Sequence, residues 1–313
     1  MTLSNSFKLG AAVLALAMMA GHSDAQEQGA APAAARPAQG LTVHTIKDGK
    51  IYWVEGGGGN STIIIGDPGV IVVDAKTTPE AGAQLVAAVA KLTSKPIDTV
   101  IETHSDGDHV NGISAFPKTV KIIAHANNKM EQLFQYIYAA VEVNGGKCLP
   151  PPDRVPNSLV LGQKANATID GVRMVFHHFG PAHTNGDLVV ELPGEKLALV
   201  GDLITSSVLS HPEKMGSFEG WFHNADELLK LNVDHYLGGH ANDLDTKASL
   251  RKRIADNKAV QGQVDGMVTA GKSLDEINTA MNAKPTSGCR GLPYWSLAQL
   301  EYYERTNKDQ ELK

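Results

Sequence analysis

Four side chains able to hold a divalent cation fall within six residues: His104, Asp106, Asp108 and His109, in the run Thr103-His104-Ser105-Asp106-Gly107-Asp108-His109. A lone His or Asp at such a place is ordinarily a cap or a solvated loop residue, but four together ask for a shared chemistry. Three later segments add to them: Gly180-Pro181-Ala182-His183-Thr184-Asn185-Gly186-Asp187, Val200-Gly201-Asp202-Leu203 and Leu237-Gly238-Gly239-His240. Each has glycine beside the polar residue, which lets backbone and side chains crowd into one small volume. Imidazole and carboxylate are ligands of divalent transition metals, and a metal with an open coordination position activates water. There is no G-x-S-x-G elbow and no Walker loop, so a serine nucleophile and nucleotide chemistry are both unsupported.

These segments need elements to hold them. Ile51–Glu55, Thr62–Gly66 and Val70–Asp74 read as consecutive strands, separated by Gly56-Gly57-Gly58-Gly59-Asn60 and by the turn Asp67-Pro68-Gly69. Pro79 suits the first turn of a helix whose Leu85, Val86, Val89 and Leu92 share a face, and Pro96 closes that stretch before a buried strand Ile97–Glu102. Further strands are expected at Val120–Ala124, Val172–His177, Asp187–Leu192, Leu197–Gly201 and His235–Gly238. Helices are expected within Asn127–Val143 and at Ala225–Leu231, Thr246–Val268, Leu274–Met281 and Ser296–Arg305. Mixed strands and helices over the whole length imply an α/β architecture of layered sheets covered by helices, and the candidate ligands stand where the strands end.

The chain of 313 residues is 42% hydrophobic and 20% charged, enough for a large buried core. A net charge of −6 offers no general basic field for phosphate backbones, so nucleic acid is not an expected partner and a small-molecule substrate is. Lys8, the apolar run Leu9–Ala20 and Ser23-Asp24-Ala25 read as a signal peptide cleaved after Ala25, which places the protein in a periplasm or outside the cell. Residues 26–40 read as a flexible Ala/Pro/Gln/Gly leader, and 41–313 as one domain. No stretch reaches the length of a comfortable membrane span, so stable membrane insertion is not expected. No oligomeric state is read from the sequence. Cys148 and Cys289 are the two cysteines, either paired or free; without a CxxC they build no thiol redox site or cysteine-rich zinc framework.

In the order and spacing of these residues the sequence resembles the metallo-β-lactamase superfamily, over Ile51 to His240. That resemblance implies a four-layer αββα sandwich with metals at one edge between the sheets. It also implies two divalent metal ions, with zinc the common choice: His104, Asp106 and His183 at the first site, Asp108, His109 and His240 at the second, and Asp202 bridging them. Asp74 resembles the family's support residue below the site, with an ordinary strand-end turn as the alternative. The implied activity is that of a metallo-hydrolase of the β-lactamase type, opening a cyclic amide with metal-activated water while Asp108 orients the nucleophile and moves a proton. A lactonase or other ester hydrolase, and a metal-binding protein without turnover, are the alternatives.

Two departures refine this. Asp106 stands where most of the family has a histidine, so the motif is H-x-D-x-D-H and the site is harder and more anionic, which improves the standing of iron or manganese against zinc. Asp202 occupies the position that is cysteine in one β-lactamase class, a difference that resembles glyoxalase II, lactonases and the broad hydrolase branch, and Thr205 replaces a lysine often found beyond it. Thr205, Ser206 and Ser207 either cap their segment or receive a substrate carboxylate. Of the other histidines, at most one of His177 and His178 can face the site, because neighbours on a strand point to opposite sides. His125, His211, His223 and His235 fit no ligand pattern. Trp53, Trp221 and Phe222 are assigned to packing rather than to a substrate groove.

Overall fold

The computed structural model describes residues 40–141, 153–204, 209–210, 215–283 and 295–306. The expected signal peptide, nearly all of the leader, both cysteines, Thr205–Ser207 and His211 lie outside the described residues.

The first sheet has seven strands in the order of the chain: β1 (Thr42–Lys47), β2 (Ile51–Glu55), β3 (Ser61–Ile65), β4 (Val70–Val73), β5 (Ile97–Ile101), β6 (Lys121–His125) and β7 (Ser158–Val160). β1 to β4 form an antiparallel meander, and β4 to β7 run parallel. Parallel neighbours need crossovers, and the chain supplies helix α1 (Pro79–Leu92), the short helix α2 (Gly107–Val110) and α3 (Ala126–Val141). The second sheet has the order β13-β11-β10-β9-β8, built from β8 (Lys164–Ile169), β9 (Val172–His177), β10 (Val189–Leu192), β11 (Leu197–Gly201) and β13 (His235–Gly238). Its outer side carries α4 (Phe218–Lys230), α5 (Lys247–Thr269) and α7 (Leu297–Thr306), with α6 (Leu274–Ala280) beyond, while β12 (Leu209–Ser210) pairs separately with β14 (Trp295–Ser296).

Alternation along the strands builds the layers. Ile51, Trp53, Ile71, Val73 and Ile101 of the first sheet meet Met174, Phe176, Val190, Leu199 and Leu237 of the second in one core. Their neighbours Tyr52, Val54, Val70, Val72 and Val100 turn the other way and pack on Leu85 and Val89 of α1. On the far side Val189, Ala198, Val200 and Tyr236 pack under Phe218, Trp221 and Leu228 of α4 and Leu250 and Ile254 of α5. Both faces of both sheets are thus covered, which explains why β4 reads as an unbroken apolar run. This is the four-layer αββα arrangement.

Several elements depart from the sequence reading. β1, β7 and β8 were not anticipated, nor were the short α2, β12 and β14; exposure alternates from Val43 along β1 and throughout β8, so much of each strand faces out. The β8–β9 turn is Asp170-Gly171, both with positive φ (47° and 73°), as a tight two-residue hairpin requires. α4 starts at Phe218, seven residues before the expected Ala225, with Ser217 Oγ accepting from Gly220 N as its N-cap. Gly220 is no helix breaker here. A side chain there would strike the Pro181 carbonyl, so its absence lets α4 lie against the loop that carries His183.

Candidate metal centre

All seven candidate ligands come together at one edge of the sandwich. His104, Asp106, Asp108 and His109 follow β5; His183 lies between β9 and β10, Asp202 follows β11 and His240 follows β13. Two groups have their ligand atoms close enough for one ion each: His104, His183 and Asp202, and Asp108, His109 and His240. Asp106 borders the first, its Oδ2 2.9 Å from His183 Nε2 and 3.7 Å from His104 Nε2. Asp202 faces both: Oδ2 is 3.2 Å from His240 Nε2, 3.8 Å from His183 Nε2 and 4.0 Å from His104 Nε2, while Oδ1 is 3.3 Å from His109 Nε2. Asp202 thus stands between the two groups, within 4.0 Å of a ring nitrogen of all four histidines.

The residues are held from behind. Asp74 is buried at the exit of β4, with a left-handed φ of 63° that Asp tolerates better than most side chains. Its carboxylate accepts from Thr103 N and Thr103 Oγ1, both at 2.8 Å, and from His109 Nδ1 at 2.9 Å. Because the Thr103 hydroxyl donates to Asp74, it is left to accept from His104 Nδ1, 3.0 Å away. Nδ1 of each ring is thereby fixed from behind and Nε2 is turned into the site. Asp187 closes the His183 loop, its Oδ2 accepting from His183 N and Thr184 N. Glu131 on α3 ties the two ligand segments together, accepting from Ser105 Oγ at 2.6 Å and Asn185 N at 3.0 Å. Glycines set the spacing: a Cβ at Gly59 would lie 2.3 Å from the His109 ring, and one at Gly239 only 2.1 Å from Asp202 Oδ1.

Burial and charge decide what fits here. His104 Nε2, His109 Nε2 and Asp202 Oδ1 are buried and lack a hydrogen-bond partner. Three such atoms aimed into one volume would each be costly unless a cation completes them. Three carboxylates and four imidazoles are a donor set that divalent transition metals accept, and the residues fit two ions. Burial holds the His104 pKa well below the usual imidazole value, so this ring is neutral and ready to ligate. Burial opposes charge on His183 too, yet the hydrogen bond and charge of Asp106 outweigh it and raise its pKa to about 10. Hydrogen bonds to Asp108 and Asp202 raise His240 to about 9. His240 and Asp108 have side chains 40% and 29% exposed, whereas the other five are nearly enclosed, so the centre opens to solvent on their side.

The remaining sequence expectations are settled by position. Neither His177 nor His178 joins either ligand group. His177 Nε2 pairs with Glu191 at 2.7 Å, and His178 stacks on His125 with Nδ1 against the Asp187 carbonyl. Trp53 is buried in the inter-sheet core and stacks on His44, Trp221 is buried with Nε1 donating to Leu203 O, and Phe222 packs beside it. Sequence reasoning missed Thr103, Glu131, Asn60 and Lys76. Thr103 adjoins the ligand run, but nothing in the sequence marks the other three.

The comparisons with known proteins agree with this geometry. The sequence profile of the Metallo-beta-lactamase superfamily matches residues 54–240, and the chain belongs to that superfamily. It is similar to the alpha subunit of 2,4-dinitroanisole O-demethylase from Nocardioides sp. (strain JS1661), 26% identical over 202 residues, covering 64% of this chain and 57% of that one. The chain spans about half the length of the curated relatives it matches. Among solved structures, the stereoselective inverting sec-alkylsulfatase Pisa1 from Pseudomonas sp. superposes with a TM-score of 0.62 at 21% identity, covering 85% of this chain and 50% of that one. A metallo-beta-lactamase from Pontibacter korlensis gives 0.55 at 16% identity, over 69% and 97%.

Two outcomes follow from the support network and the charges. Asp74→Asn keeps size and tolerance of the left-handed backbone while losing a charged acceptor, so metal affinity should fall about 10–100-fold, and at both ion positions because Asp74 reaches His104 as well as His109. Equilibrium titration with a competing chelator measures this. Without metal, His183 and His240 keep their protons at neutral pH, since their pKa values are about 10 and 9. Metal uptake must displace them, so apparent affinity should rise with pH up to that range. Binding enthalpies that vary with buffer ionisation heat would register the protons released.

Proposed function

We propose that the chain is a metal-dependent hydrolase working with two divalent ions, one at His104, Asp106, His183 and Asp202 and the other at Asp108, His109, His240 and Asp202. The observation that carries this is Asp202, a single buried carboxylate facing both ligand groups. Bound ions would supply a Lewis acid for the scissile group and lower the pKa of a coordinated water toward 7. The residues do the rest. Asp108, on the open side with Oδ2 3.1 Å from His240 Nε2, orients an entering water and takes its proton. The enclosed His104, His183 and Asp106 keep bulk water from the first position. Asp106 makes that position harder than a three-imidazole one, which supports iron or manganese as well as zinc.

For substrate, the β-lactam expectation rests on the signal-like N-terminus, which would send the protein where β-lactams are met. A second reading is favoured by the surface beside the His183 loop. Met130 and Phe134 of α3 and Met215 are more than half exposed, and Met215 Sδ lies 3.7 Å from Asn185 Nδ2. Exposed apolar side chains there suit a substrate with an alkyl or aryl body, attacked at an ether or ester C–O bond or at an S–O bond. The names of the relatives, an O-demethylase of dinitroanisole and an alkylsulfatase, support the same class.

A panel of penicillin, carbapenem, lactone, aryl ester and alkyl sulfate, assayed with metal content on the same preparation, tests both. Activity should vanish with a chelator and return with added metal; full activity in metal-free protein would end this mechanism. Asp106→Ala should weaken the first ion selectively and leave the second bound. Asp106→His should favour zinc and move the acid limb of the pH–rate profile to lower pH, because less negative charge surrounds the reacting water.

A further inference from the structure

Lys76 is a lysine with no exposed surface, at a backbone φ of 77° that side chains rarely adopt. Its Nζ donates to Val54 O at 2.6 Å and Gly59 O at 2.8 Å. One carbonyl lies in β2 and the other at the end of the glycine run Gly56–Gly59 in the loop that joins β2 to β3, so one side chain ties the strand before the loop to the far end of its four glycines. Burial pulls the ammonium down to a pKa of about 7, with Asp74, Asp108 and Glu55 opposing that. The clamp survives either state, because a neutral amine still donates two hydrogens.

What the clamped loop touches gives the lysine its consequence. Gly59 N donates to Asp108 O, and Thr77 N, next to Lys76, donates to Gly57 O. Asn60 N donates to Gly239 O at 2.6 Å, and Asn60 Nδ2 to Gly238 O and Ala241 O. The His109 ring is therefore confined between the backbones of Gly59 and Gly239, each so close that a Cβ would collide with it. The loop is a fixed wall against Asp108, His109 and the segment bearing His240, and it makes no such contact with His104 or His183.

We propose that Lys76 is a positioning residue for the second ion: by closing the glycine loop it fixes the slot that holds the His109 ring and aligns Asp108 and His240 with it. This rests on the two-ion reading above. Asp74 fixes Nδ1 of His109 from behind, and Lys76 sets the wall against which the ring is pressed.

The test is stepwise Zn2+ titration against a chromophoric chelator in the full chain, in Lys76→Met and in Lys76→Gln. The parent should take up two ions. Lys76→Met should lose about 10–100-fold in affinity for one of them and keep the other within about twofold, with Lys76→Gln between. Hydrogen exchange supplies a readout free of metal: the amides of Gly59, Asn60 and Thr77 should exchange faster in Lys76→Met, while those of β4 and β5 stay protected. Fewer than two ions in the parent would overturn the two-ion reading and this proposal with it. Two unaltered affinities in a folded variant, or an equal loss at both, would overturn the clamp alone. Failure of both variants to fold would make Lys76 a residue the whole fold needs, and would also overturn the local role.

Discussion

The carboxylate of Asp74 is buried among apolar strands, and three donors converge on it: Thr103 N, Thr103 Oγ1 and His109 Nδ1. An ionised group is costly in such a place unless it is fully hydrogen-bonded. Here its partners are the very residues that must be aimed. Thr103 passes the constraint to His104, and His109 receives it directly, so one buried acceptor orients an imidazole in each ligand group. The left-handed backbone at Asp74 and again at Lys76 turns the chain out of β4 toward the glycine loop and α1, so that the support residue and the clamp, two positions apart in the chain, both lie beside the wall.

The second constraint is charge. Four histidine rings stand close together, with His104 and His109 at 4.1 Å between centroids and His104 and His183 at 4.8 Å. They cannot all be protonated cheaply, and Asp106, Asp108 and Asp202 cannot all stay bare without cations. The metal-free protein answers by holding His109, His183 and His240 in the charged form against their acidic partners and His104 neutral. Divalent ions answer the same need with more charge and in a fixed geometry.

Each ligand group draws on both sheets. The run after β5 contributes to both, and the ends of the second sheet supply His183, Asp202 and His240. Bound ions would therefore join the two halves of the sandwich at the edge where the apolar core between them gives out, so that catalysis and cohesion use the same contacts. Glycine makes this possible at Gly59 and Gly239, where backbones press on His109 and Asp202 with no room for a side chain.

Much of this was legible in the chain itself. Strand and helix placement followed from apolar alternation and from the prolines at 79 and 96, because fully buried strands and amphipathic helices write their burial into residue type. The seven candidate ligands stood out because few other functions gather His, Asp and Gly at successive strand ends. β1 was missed because an edge strand that is half polar looks like a loop, whereas β8 was missed despite the Asp170-Gly171 hairpin signal. What only the tertiary structure decided is how the polar groups were shared out. The sequence marks Asp74, Lys76 and Asn60 as polar residues at element ends and Glu131 as a polar residue within a helix, and such residues are ordinarily solvated. Only the packing of β4, β5 and the glycine loop removes water from Asp74 and Lys76 and leaves each to find its partners within the protein, and those partners lie distant in sequence and adjacent in space.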